Sequence, residues 1–226
     1  MKQKGGRKKG VTFFAFLASL ASLAVLADFS WGAPAAPKER PKFDPSKLFM
    51  NKPAPNFTLK TFDGKQDITL GEFKGKKVVL INFFATWCQP CYEETPSFVK
   101  VYEEYREKGV EFISVDVLEK EGTDVPKALG EYVKQFGVPW PVTIDGEDHE
   151  VANLYRIGVR KVLPTNIGID KNGVVRFYQL GKVEEVWLRE QLDFMITGKK
   201  PEPTTAPQSI PKPDEVTPTK EVKKEP

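Results

Sequence analysis

Six strand-forming apolar residues in the seven-residue run Val78-Val79-Leu80-Ile81-Asn82-Phe83-Phe84 lead, through Ala85-Thr86-Trp87, into the only two cysteines of the chain, Cys88 and Cys91. A β-branched and aromatic run of this length reads as a buried strand, and the charged amphipathic segment after Cys91 reads as a helix. This order places Cys88 at the start of the helix and Cys91 one turn in. The two sulfurs then face each other and close a small disulfide without backbone movement. Unpaired N–H groups of the first helical turn favour a thiolate on Cys88. A lone C-x-x-C also looks like half of a zinc site, but the only other soft ligand is His149, which sits among acids in Asp145-Gly-Glu-Asp-His-Glu150 and reads as a solvated surface residue. A static structural disulfide is the remaining alternative. So short a loop gains little from chain entropy, which favours a redox role.

Residues 1 to 10 hold Lys2, Lys4, Arg7, Lys8 and Lys9 with no acid, and Val11 to Ala27 is uncharged and apolar, ending Val25-Leu26-Ala27. This is the layout of a secretory signal, with cleavage after Ala27. The alternative is an uncleaved membrane anchor over 11–27, slightly short against the roughly 20 residues of a membrane span. Either way the basic flank stays inside and the rest is exported, to the periplasm or another extracytoplasmic space where a disulfide persists. No cysteine lies near the end of the apolar stretch, which excludes a lipoprotein anchor.

Residues 28–52, rich in Ala, Pro and Lys, read as a linker, and 198–226, dominated by Pro, Lys, Glu and Thr, as a disordered tail that lacks the apolar surface to offset ordering entropy. The folded unit is then 53–197. Within it the pattern predicts short strands at Phe57–Leu59 and Ile68–Leu70, the main strand Val78–Phe84, a helix from Cys91 to Lys108 stopped by Gly109, and a strand Val110–Asp116. A helix Val125–Phe136, a short strand Pro141–Ile144 and a short helix His149–Tyr155 follow. A hairpin of Thr165–Ile169 and Val174–Gln179 turns at Asp170-Lys-Asn-Gly173, and Val183–Thr197 closes the unit as a helix. Parallel strands joined by a crossover helix, then an antiparallel hairpin, give an α/β, thioredoxin-like fold: a mixed central sheet with helices on both faces and a short N-terminal β extension.

Ala54-Pro-Asn-Phe-Thr-Leu59, Gly75 to Cys91, Glu94-Thr-Pro96, Trp140-Pro-Val142, Leu163-Pro-Thr165 and Ile169-Asp-Lys-Asn-Gly173 together resemble the TlpA/ResA-like group of exported thioredoxin-fold thiol-disulfide oxidoreductases within the wider redoxin family. The resemblance implies a cis peptide bond at Leu163-Pro164 beside the dithiol, with Leu163, Pro164 and Thr165 meeting an incoming chain. It also implies a buried acid at Glu94, below the disulfide, that moves protons to and from Cys91. The bland reading of Glu94 is an acid complementing the helix dipole, a task Glu93 could serve equally. Two departures stand out. The approach to the proline, Gly158-Val-Arg-Lys-Val-Leu163, lacks the usual glycine and is one residue longer, and Thr165 is followed by Asn166 where the group carries a second threonine.

Cys88 is the candidate nucleophile and Cys91 the resolving thiol. Pro90 suits the first helical turn, where its missing N–H is not needed, and Trp87 covers one side of the dithiol, with ordinary packing as the competing reading. No cofactor is expected beyond the Cys88–Cys91 disulfide, and no metal. Partners are protein thiols and disulfides and a membrane electron donor. On the resemblance the chain reduces selected proteins such as apocytochromes c during cytochrome c maturation. An oxidant or isomerase, or a copper-binding module on the same fold, are the alternatives. A peroxidase is disfavoured because Ile81 stands where peroxiredoxins have a proline. A net charge of +3, with basic residues dispersed or in the targeting segment, gives no footprint for nucleic acid.

Overall fold

The computed structural model describes residues 44–199, so the segments read as signal or anchor, most of the linker and the tail lie outside the described residues. Strands β1 (Thr58–Lys60) and β2 (Asp67–Thr69) pair antiparallel as a small separate sheet. The main sheet has the order β5-β4-β3-β6-β7, with β3 Val78–Phe84, β4 Val110–Asp116, β5 Val142–Ile144, β6 Thr165–Ile169 and β7 Val175–Leu180. Strands β3, β4 and β5 run parallel, β6 runs antiparallel to β3, and β7 runs antiparallel to β6. The helices are α1 (Ser46–Phe49), α2 (Gln89–Tyr105), α3 (Val125–Phe136), α4 (Glu150–Leu154), α5 (Ile157–Arg160) and α6 (Glu185–Thr197).

The crossovers β3-α2-β4 and β4-α3-β5 step across the sheet in the same direction. Right-handed connection therefore puts α2 and α3 on one face, where α6 joins them. Alternation along β3 divides the core accordingly. Val78, Leu80 and Phe84 pack with Phe98 and Val101 of α2, Leu129 of α3 and Leu188 of α6, whereas Val79, Ile81 and Phe83 pack with Tyr155, Ile157 and Phe49 on the other side. Coverage on both faces is why β3 reads as an almost unbroken apolar run.

Several boundaries differ from the sequence reading. The second strand ends at Thr69, and Leu70–Phe73 turns as a 3₁₀ helix. Helix α2 begins at Gln89, with Cys88 itself as the cap. Residues before the proline, to which the sequence pattern assigns no element, include α5. The stretch 44–52, read as the end of a linker, holds α1, because Phe49 is an aromatic with a place to go: its ring stacks on Tyr155 at 5.7 Å and Tyr178 at 5.6 Å. Asn51 N–H and Lys52 C=O then bond Val175 at 2.9 Å each, tying this segment to β7.

One glycine answers to packing. Gly168 on β6 faces Phe177 on β7, and a Cβ there would stand 2.1 Å from the Phe177 ring. The missing side chain gives the ring its seat.

Candidate functional site

The C-terminal end of β3 carries the chain into Cys88, which caps α2: its Sγ accepts the Cys91 N–H at 3.3 Å. The two cysteines form a disulfide with Cα atoms 5.3 Å apart. Cys88 is 2% exposed and Cys91 1%, so burial does not tell them apart. The cap position does, because a thiolate on Cys88 faces the unpaired N–H groups of the first turn. Pro90 is exposed in that turn.

Glu94 lies one turn beyond Cys91 on the same face of α2 and is 3% exposed. It is not in the first turn of the helix, so the dipole reading does not describe it. Its carboxyl receives Asn82 Nδ2 at 3.0 Å, Asn166 Nδ2 at 3.4 and 3.3 Å on its two oxygens, and the Val183 N–H at 3.2 Å. Burial pushes the group up to about 8, and the hydrogen bonds from Val183, Asn166 and Asn82 hold it below where burial alone would put it.

Beneath Glu94 runs a polar row across the sheet. Ser114, Asn82 and Asn166 are register partners on β4, β3 and β6. Trp140 Nε1 donates to Ser114 Oγ at 2.8 Å, Ser114 Oγ to Asn82 Oδ1 at 3.4 Å, and Asn82 Nδ2 to Asn166 Oδ1 at 2.9 Å. The sequence reading passed over this row. Its signal is present, since Asn82 is the one polar residue in an otherwise apolar buried strand and needs partners there.

A second carboxyl group of residues stands behind the redox turn. Glu119 accepts hydrogen bonds from the Thr86 N–H and, at 2.9 Å, from its hydroxyl. Trp87 Nε1 donates to Leu118 C=O at 2.9 Å, and Lys120 Nζ lies 5.9 Å from the Trp87 ring centre. Residues 118–120 therefore hold the two residues that precede Cys88, and Trp87 is anchored along one edge while 39% exposed. Asp116, opposite Phe84 at the end of β4, is buried, and its Oδ1 has no hydrogen-bond partner. Burial, then the Glu119 carboxylate, pushes Asp116 up to about 9. Nothing in the sequence pattern distinguished Glu119 from a loop acid.

The Leu163–Pro164 peptide bond is cis. Thr165 is the register partner of Phe83, which places Leu163, Pro164 and Thr165 at the end of the sheet from which the dithiol emerges. Pro164 C=O accepts the Gly181 N–H and Thr165 Oγ1 donates to Val162 C=O, both at 2.8 Å. His149 differs from its sequence reading. It is half-buried with φ of 50°, and its Nδ1 has no hydrogen-bond partner. Among the described residues, no group of three or more His, Cys, Asp or Glu is placed to hold a metal ion, and no helix is long and apolar enough to cross a membrane.

Residues 50–178 match the AhpC/TSA family. The thiol-disulfide oxidoreductase ResA of Bacillus thuringiensis (strain Al Hakam) is 42% identical over 132 residues, spanning 58% of this chain and 70% of that protein. ResA of Bacillus subtilis (strain 168) is 34% identical over 146 residues, 65% of this chain and 75% of that one. Among solved structures, a thiol:disulfide interchange protein of the thioredoxin family from Chlorobium tepidum TLS matches with a TM-score of 0.56 at 28% identity, covering 65% of this chain and 97% of its own.

Proposed function

The chain belongs to the AhpC/TSA family and is a thiol-disulfide oxidoreductase, and from that premise we propose that it is an exported reductant of selected proteins, apocytochromes c among them. The observation that supports this reading is the Cys88–Cys91 disulfide at the N-terminus of α2 with a buried, proton-retaining Glu94 one turn behind it.

In the reduced enzyme the Cys88 thiolate attacks one sulfur of a partner disulfide. A mixed disulfide forms, and the partner's other sulfur leaves as a thiolate that takes up a proton. Cys91 gives its proton to Glu94 in its ionised form, and the resulting thiolate attacks Cys88 Sγ. The Cys88–partner bond breaks, the partner's second sulfur leaves as a thiolate that takes up the proton Glu94 had received, and the partner departs as a dithiol, two electrons having passed from enzyme to substrate. A carboxyl whose affinity for protons lies near that of a thiol suits this exchange in both directions. Leu163, ahead of the cis proline, offers backbone to the incoming chain, with Pro164 and Thr165 shaping the site, and Trp87 and Pro90 flank it. A thiol-reducing membrane electron donor restores the dithiol, and residues 11–27 export the domain or anchor it to the membrane.

Equilibrating the pair with glutathione or dithiothreitol buffers tests the direction. A potential near or below about −250 mV supports a reductant, and one near about −120 mV makes the protein a disulfide donor instead.

A further inference from the structure

Every contact that reaches Glu94 is a donor. Two carboxamides and one backbone N–H point at its oxygens, and the acceptors of those carboxamides are already engaged: Asn82 Oδ1 by Ser114 and Asn166 Oδ1 by Asn82. The row Trp140, Ser114, Asn82, Asn166 thus runs in one direction and ends on the carboxylate. Such an arrangement suits an anion with filled lone pairs and leaves the proton of a neutral carboxyl without an acceptor.

We propose that Asn166 is the positioning residue that sets the protonation balance of Glu94, by donating to both of its oxygens when the carboxyl is ionised and by turning its carboxamide to accept when the carboxyl carries a proton. The other donors make that turn at greater cost or not at all, because Asn82 sits mid-row between two partners whereas Asn166 ends the row. Val183 donates from the backbone, and Asn82 is held at its oxygen by Ser114 and at its nitrogen by Asn166 and Glu94. Turning Asn166 sacrifices the bond it takes from Asn82, so proton uptake costs a hydrogen bond within the row. A threonine here, as in the resembled group, supplies one hydroxyl that donates or accepts by simple rotation. Asn166 gives this chain a stiffer, more anion-favouring support for Glu94. The inference rests on Glu94 being the proton-handling group of the reaction.

The other charged and titratable groups acting on Glu94 are Lys182, after β7, and Tyr132 of α3; Glu93 beside it on α2 is exposed and pairs with Lys182 at 3.3 Å. From the sheet it meets only the carboxamides of Asn82 and Asn166. With the disulfide closed, neither cysteine titrates.

The test is a carboxyl-carbon NMR titration of Glu94 in the oxidised full chain labelled with ¹³C-glutamate, the resonance identified by its loss in Glu94→Gln. Asn166→Thr is expected to raise the Glu94 midpoint by about one pH unit, as for the loss of one charge-assisted hydrogen bond. Asn166→Ser, smaller and unbranched, serves if threonine does not fold, with the same expectation. An unmoved or lowered midpoint overturns the inference. The pH dependence of the dithiol potential, measured on the same variants, separates the two claims. If the midpoint moves and the potential profile does not, Asn166 sets the balance of Glu94 and the proton-transfer reading of Glu94 fails; if both move together, both stand.

Discussion

Asn82 on β3 and Asn166 on β6 face each other across an antiparallel strand pair, joined by a 2.9 Å hydrogen bond, and both direct an amide N–H at Glu94 from the helix above. A buried carboxyl over a sheet of amides has a protonation state that responds to pH near neutrality, and this leads to the first prediction.

The folded value of Glu94, about 8, lies above its ordinary value of 4.5, so the native state holds a proton that the unfolded chain releases. Its contribution to stability is fully present below the unfolded value and is lost as pH rises through the folded one, with a slope of about 1.4 kcal/mol per pH unit between them. Chemical denaturation of the oxidised protein across that window should show the slope. Asp116, raised to about 9, adds a slope of the same sign over this window, so Glu94→Gln should remove the Glu94 share and leave that of Asp116; an identical slope in the variant would mean that Glu94 does not contribute.

Cys91→Ser should accumulate a mixed disulfide between Cys88 and partner proteins, because the resolving attack is missing. Cys88→Ser should capture none. Non-reducing gels of the two variants after incubation with a disulfide-bearing substrate decide it, and adducts on Cys91 alone would reverse the assignment of roles.

Glu119→Ala removes both hydrogen bonds that hold Thr86, whereas Glu119→Gln keeps an acceptor for the amide and a donor for the hydroxyl. If the brace positions Cys88, alanine should alter the alkylation rate of the reduced protein at least threefold, on the order of the roughly 1 kcal/mol of one hydrogen bond, and glutamine should restore it. Equal rates in all three proteins would reduce Glu119 to a surface acid.

Gly168→Ala places a methyl group into the Phe177 ring. Overpacking of this kind costs about 1–3 kcal/mol. Phe177→Leu should relieve part of that loss, so the double variant should be more stable than the sum of the two single changes; strict additivity in denaturation curves would show that the ring is not the obstacle.

Phe49→Ala should destabilise the whole domain by about 3 kcal/mol, as for a buried aromatic, with one cooperative transition. A wild-type midpoint would show that residues 44–52 contribute no packing energy.

Much of this site was legible in the chain. The apolar run, the C-x-x-C and the amphipathic segment after it carry their own local physics: β-branched and aromatic residues favour an extended backbone, and Pro90 with the following helix formers starts a helix where the cysteines sit. Gly109 ended the helical region as expected, with φ of 85°. The motif fixed the spacing of Cys88, Cys91 and Glu94 on one helix face, because three-residue steps along a helix need no tertiary information.

The rest depended on which strands became neighbours. Asn82, Ser114 and Asn166 are 32 and 84 residues from one another along the chain in the bonds that join them, and no local pattern says that they share a row. Glu119 reaches Thr86 across 33 residues, from a loop whose composition is that of any surface turn. Phe49 became core because Tyr155 and Tyr178 left a place for its ring. Local preference settles where the thiols stand along a strand and a helix. The environment that sets the affinity of Glu94 for a proton is made by long-range strand register and burial, and only the assembled sheet decides those.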